Sequence, residues 1–291
     1  MENAFRYWAL TSALVVSGAL AVLLAFLSWR GLPGWSLELL FGDTPPLDAL
    51  LHGVPVFDGL WPASLGTLAL VALATGIAVP LGVASGVYLA EFARGRVQAI
   101  FSFCVDLLAG IPSILMGLFG FALVLLLRRT IAPSANTGLL LSALCVAMLV
   151  LPYLISSTRL ALQGLPRDLR LAGACLGLSH GQVVGRILLP AAMQGIFSGV
   201  VLAVGRAAED TAVILLTGVV ANAGVPQSLT GKYEALPFHI YYLAAEHQTP
   251  AQLTQAFAAV LVLLCLTSTL FVGARLLHAL LEKKWKTGVS S

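Results

Sequence analysis

Charge is what this chain has least of. Of its 291 residues only 10% are Asp, Glu, Lys or Arg, against 59% hydrophobic, and the mean hydropathy is +0.95. A soluble domain of this length cannot hide that much apolar surface, so lipid is the expected solvent. A nucleotide cradle is also missing. No G-x-x-x-x-G-K-[ST] run occurs, and the stretch from Gly224 to Lys232 has the wrong spacing, so ATP is not expected to bind here in the usual way. The five histidines (His52, His180, His239, His247, His278) are scattered without metal-ligand spacing and read as surface or interfacial residues. The four cysteines, Cys104, Cys145, Cys175 and Cys265, offer neither a metal set nor a disulfide pair in the outer loops. No Ser–His–Asp order suggests a nucleophile, so neither an enzyme nor a cofactor is expected. Internal repeats, low-complexity tracts and a separate soluble domain are absent as well.

What is present is a set of six long apolar runs, at about 8–28, 64–89, 100–127, 137–157, 196–219 and 252–276. A bilayer core takes ~20 apolar residues per helix, and runs of this length suit helices rather than barrel strands. The expected fold is an all-α integral membrane protein with six transmembrane helices. The first run is too long for a signal-peptide core, and Ser28-Trp29-Arg30 is no small-residue cleavage site, so it reads as a retained helix. Pro80, Pro112 and Pro152 sit inside runs two, three and four and are expected to bend them. Gly82-x-x-x-Gly86 permits close helix packing.

Basic residues set the expected orientation. With the N-terminus inside, the cytoplasmic side receives eleven: Arg6, Arg94, Arg96, Arg159, Arg167, Arg170, Arg186, Arg275, Lys283, Lys284 and Lys286. The outside receives four, Arg30, Arg128, Arg129 and Lys232. This positive-inside bias accounts for the net charge of +3 without a nucleic-acid partner. Residues 1–62 then hold the first helix and an outer segment, 29–63, rich in Gly and Pro, that reads as a lid or a docking surface. Residues 63–281 hold the core, and 282–291 a basic cytoplasmic tail that anchors at the interface. The second outer segment, 220–250, contains an apolar patch, 238–243, that reads as dipping back toward the membrane.

Two polar features interrupt the apolar pattern. In run five, Arg206, Glu209 and Asp210 fall at i, i+3 and i+4, hence on one face of a continuous helix. An unpaired arginine at mid-bilayer costs about 2.5–3.5 kcal/mol on the lenient scale, which favours a functional role over a structural ion pair. Asp106 is weaker, as a carboxylate near the start of span three. The other feature is the loop 159–195, too polar for lipid and marked by Gly173, Gly177, Gly181 and Gly185. The four-residue repeat of those glycines is open to a second reading as a helix-packing stripe.

In this loop, Leu171-Ala172-Gly173-x-x-x-Gly177 followed by Ile187-Leu188-Leu189-Pro190 resembles the EAA loop of ABC importer permeases. Further blocks resemble the phosphate-specific branch of that family: Pro80-Leu81-Gly82-Val83, Tyr88-Leu89-Ala90-Glu91-Phe92, the run 106–114 with Gly117-Leu118-Phe119, the run 206–212, and Leu236-Pro237 with Ile240. The resemblance implies a type I ABC importer permease in a bacterial inner membrane, with both termini cytoplasmic. It would work beside a second related permease, on an ATP-binding cassette ATPase dimer, fed by a soluble phosphate-binding protein. It also implies an ATPase-coupling set (Arg170, Leu171, Ala172, Gly173, Gly177, Leu189, Pro190) and a substrate path or gate at Arg206, Glu209, Asp210 and Thr211. Three departures stand out. Leu171 replaces the EAA glutamate, Glu209 and Asp210 replace a Gly-Glu pair, and Val213 replaces a proline. Another oxyanion (sulfate, molybdate or an organic phosphate) remains an alternative cargo. An ion-coupled secondary carrier is a further alternative. Such carriers often show repeats and helices broken at midplane, and the sequence shows neither.

The basic asymmetry makes a first prediction. In a cysteine-free background, Ser179→Cys and Ser228→Cys should react with an impermeant thiol reagent from opposite sides of the membrane. Labelling of both from one side would overturn the six-span topology.

Overall fold

The computed structural model describes the backbone of residues 2–51, 56 and 59–288, and their side chains except at 2–4, 50, 51, 174, 277, 278, 280–288. His52 and Asp58 therefore lie outside the described residues, as do the side chains of His278 and of the tail residues Lys283, Lys284, Trp285 and Lys286. Among the described residues there are thirteen α-helices and no strand: α1 Glu2–Gly31, α2 Leu37–Phe41, α3 Pro46–Leu51, α4 Trp61–Val87, α5 Gly95–Gly110, α6 Ser113–Thr130, α7 Leu139–Gln163, α8 Arg167–Cys175, α9 His180–Val183, α10 Leu189–Glu209, α11 Ala212–Thr217, α12 Leu236–Glu246 and α13 Pro250–Gly288. Six stretches are long and apolar enough to cross a membrane: Phe5–Gly34, Trp61–Phe92, Ser113–Thr130, Leu139–Gln163, His180–Glu209 and Pro250–Leu276.

The centre is a trio. Helices α4, α7 and α10 pack on one another through small residues spaced three or four apart, the geometry that brings helix backbones close. On α4 the buried stripe is Ala63, Gly66, Thr67, Leu70, Ala74, Ala78, Gly82 and Gly86. The Gly82-x-x-x-Gly86 pattern is used directly. A Cβ on Gly82 would stand 2.5 Å from Leu154 Cβ, and one on Gly86 2.6 Å from Thr158 Cβ. Pro80 and Pro152 remain inside uninterrupted helices.

Two spans differ from expectation. Run three is not one helix, because the chain extends at Ile111 and Pro112 and restarts as α6. Proline has no amide to donate and disfavours helix at the residue before it, so the bend becomes a break. Asp106 thus lies on the exposed α5 rather than near the start of a span. Run five starts earlier and stops earlier than its apolar limits. The helix enters from His180 through a π-helical turn, Val184–Leu188, and ends at Glu209. The absence of broken helices expected from the sequence is therefore incorrect.

The second outer segment folds inward. Residues 233–236 are fully buried. Tyr233 O accepts from Val220 N at 3.0 Å, and Leu236 N donates to Thr67 Oγ1 at 2.9 Å. The patch 238–243 lies in α12, which packs on α13 and α4. Burial pushes the Tyr233 phenol above its ordinary pKa, with Ser142 opposing weakly, so it stays neutral at physiological pH.

This threading depends on a glycine. A Cβ on Gly66 would meet Glu234 O at 1.9 Å, whereas one on Gly76 meets nothing within 4 Å. Overpacking costs about 1–3 kcal/mol, while Gly→Ala in an open helix position gains up to about 1 kcal/mol. Gly66→Ala should lower the melting temperature in detergent and Gly76→Ala should leave it equal or higher. Equal melting temperatures for the two variants would refute the threading.

Candidate functional site

The interruption at Asp210 gathers the intramembrane polar groups. Asp210 ends α10 with an extended backbone (φ −73, ψ 120). Its Oδ1 accepts from Val213 N at 2.8 Å, satisfying an amide at the start of α11. Its Oδ2 lies 3.4 Å from Arg206 Nη2, with the carboxylate side chain 2% exposed and the arginine side chain 39% exposed. One carboxylate thus caps one helix and neutralises a cation on the helix before it. The value of such a pair lies mainly in not leaving a buried charge alone. Glu209 is exposed and makes no ion pair among the described residues. Arg206 and Asp210 share a helical face, because the chain leaves the helix only at the ψ of Asp210, and Glu209 beside them stays exposed. Thr211 stands at the break, half-buried, without a side-chain cap bond.

Helix α11 is seated by α6 and α7. Gly117 of α6 lets its first turn approach, since a Cβ there would stand 3.0 Å from Val213 O. Thr217 Oγ1 sits 2.8 Å from Ser142 Oγ and 2.9 Å from Val213 O. Sequence reasoning missed this hydroxyl pair, because its two members are far apart in the chain and each is an ordinary helix residue.

At the opposite end of the helical trio, the loop 159–195 is a helix–turn–helix. The expected glycine stripe is not one surface. Helix α8 stops, Gly177 takes φ +72, and Ser179 starts α9 through a reciprocal capping box with Gln182. Gly173 packs on Val183 and Ile187, while a Cβ on Gly177, Gly181 or Gly185 meets nothing within 4 Å. Leu171 (62% exposed) and Leu176 (77% exposed) project from the turn, and Ala172 is exposed beside them. Three members of the expected coupling set are not on this exposed turn. Leu189 and Pro190 open α10 and are half-buried, and Arg170 turns back into the protein. Its Nη2 donates to Glu91 Oε1 at 2.7 Å and to Leu162 O at 2.9 Å, and its Nη1 to Leu165 O at 3.2 Å. His180, though exposed, also reaches this place, with Nε2 3.0 Å from Glu91 O and its ring edge-on to Phe92. Sequence analysis placed Glu91 in a family-like block without giving it a role. No group of His, Cys, Asp and Glu suited to a metal occurs among the described residues.

A helical trio long and apolar enough for a membrane, a spanning helix broken at a helix-capping carboxylate, and an exposed apolar helix–turn–helix at one end suit the transmembrane subunit of a transporter. The chain has the fold of a type I ABC importer permease. It resembles the inward-facing MetNI methionine ABC transporter with a TM-score of 0.59 at 17% identity, over 81% of this chain and 98% of that one. The family described as the binding-protein-dependent transport system inner membrane component matches residues 78–287, and the chain belongs to it. Among curated relatives, phosphate transport system permease protein PstA 1 of Mycobacterium tuberculosis is 32% identical over 251 residues, spanning 84% of this chain and 76% of its own. PstA of Haemophilus influenzae is 31% identical over 283 residues, spanning 93% and 95%. Family membership removes the secondary-carrier alternative even though a helix is broken.

The double duty of Asp210 is separable. Asp210→Asn keeps an oxygen for Val213 N and loses the charge, whereas Asp210→Ala loses both. A lost cap costs about 1 kcal/mol. Thermal unfolding in detergent should therefore rank native above Asn above Ala, and identical curves for Asn and Ala would show that the cap contributes nothing.

Proposed function

We propose that this chain is one permease subunit of an ATP-driven importer of inorganic phosphate in a bacterial inner membrane, with both termini and the α8–α9 turn in the cytoplasm. A soluble binding protein delivers the anion from outside. A second, related permease completes the path, and a separate ATPase dimer docks on the turn around Leu171 and Leu176, where apolar contact stands in for a carboxylate. The observation that carries the cargo assignment is the identity with phosphate permeases, 31% over 283 residues and 93% of the chain. The half-exposed Arg206 beside the break supports it.

The chemistry suits a gate. Phosphate near neutral pH carries between one and two negative charges, and stripping its water is costly. A guanidinium is always charged and offers a planar fork matched to phosphate oxygens. Arg206 rests on Asp210 and has an exposed side free to meet a passing anion. The pair holds no net charge, so the cargo is not trapped, and Glu209, exposed next to it, disfavours entry out of turn.

The test is uptake by the reconstituted importer. Arg206→Gln should abolish phosphate import while the subunits still co-purify, and Arg206→Lys should restore only part of it because the fork is gone. Sulfate and molybdate should not compete in the native complex. Competition by either would change the cargo, and native uptake by Arg206→Gln would make the pair architectural. A reversed pair is a poor control, since an arginine at 210 would strip the cap from Val213.

A further inference from the structure

The coupling turn must pass motion to the membrane helices, and a loop held only by its two chain ends would do so poorly. The structure provides a second attachment. Arg170 of α8 spends its guanidinium on Glu91, whose side chain is 5% exposed, and on the carbonyls of Leu162 and Leu165 at the end of α7. His180 of α9 reaches the Glu91 carbonyl, an acceptor, so its Nε2 carries the proton and donates. Phe92 lies against the same ring. Both helices of the turn are thus fastened to one place, the π-helical turn Tyr88–Phe92 that ends the second span. The chain enters α10 through another π-helical turn, Val184–Leu188. Such turns interrupt the regular hydrogen-bond ladder and recur at functional positions.

The geometry points to Glu91 and Arg170 as the mechanical joint of the importer, a positioning pair that makes α8, α9 and the ends of α4 and α7 move as one body when the ATPase closes. This rests on the importer reading above. The joint explains why Arg170 is turned away from the docking face, and why the Glu91 carboxylate is only 5% exposed at this end. Arg170 is suited to the task because a fork of five donors can hold a carboxylate and two carbonyls at once. Lysine, with one nitrogen, cannot span them.

The experiment uses the complete importer in proteoliposomes, with ATP hydrolysis and phosphate uptake measured on the same vesicles. Arg170→Ala and Glu91→Gln complexes that assemble normally should hydrolyse ATP near the native rate while uptake per ATP falls by about two- to thirtyfold. Arg170→Lys should fall between. A merely structural pair would reduce both rates together through lost assembly. A native uptake-to-hydrolysis ratio in Arg170→Ala, or parallel loss of both activities, overturns the joint. A second arm is independent of side-chain loss. With Cys104, Cys145, Cys175 and Cys265 replaced, Glu91→Cys and Arg170→Cys are bridged by a short thiol-reactive linker. Bridging should restore coupling to the doubly substituted complex, whereas an inert bridged complex would show that the two segments must separate during the cycle. Lack of any binding-protein-stimulated hydrolysis in the unaltered complex would defeat the importer reading itself and the joint with it, an outcome distinct from failure of the joint alone.

Discussion

A helix broken inside an apolar bundle leaves backbone donors and acceptors that no water can serve, and each must find a partner within the protein. Asp210 is the partner here. By capping α11 and holding Arg206, one carboxylate lets the fifth span stop, turn and restart. The arrangement around it follows from that stop. Helix α11 needs Gly117 beneath it and the hydroxyl pair of Thr217 and Ser142 beside it. The chain beyond α11 then has to return between α4 and α7, where Thr67 receives Leu236.

The two ends of the bundle use different devices for the same need. At the Asp210 end, single side chains threaded among small residues satisfy polar groups one by one, with the buried Tyr233 hydroxyl left unpaired. At the α8–α9 end, a cluster of charged and aromatic groups converges on Glu91. The α4–α7–α10 trio between them is nearly featureless chemically. Its contribution is close packing: at Gly82 on Leu154 and Gly86 on Thr158 the two helices approach nearer than any side chain on α4 would allow, as expected of interiors packed at crystal-like density. A displacement at one end is then felt at the other.

Much of this was legible in the sequence. Hydropathy gives the six spans because lipid imposes a length and an apolar minimum that few other environments share. The polar loop 159–195 was recognisable as a segment outside the spans because its charges make it unfit for lipid. What composition could not give was where the ladder breaks. The spacing of Arg206 and Asp210 placed them on one face, where they pair, but nothing local announces that the chain leaves the helix at Asp210 and that its carboxylate also caps α11. Pro112 signals trouble but not its extent, since Pro80 and Pro152 are absorbed without a break. Glu91 and Arg170 lie far apart in the chain, so their pairing is a property of the tertiary structure alone. The inward fold of 233–236 was hidden for the same reason: Tyr233 and Glu234 look like residues of a wet loop.

Helix α1 lies apart from the trio. No residue in its apolar window is buried, and its main neighbour is α13. Of the spanning helices, that neighbour is the last to be synthesised. Until α13 is made, α1 therefore lacks the helix it packs on most. Its composition fits that interval: between Arg6 and Arg30 it carries no charged residue at all.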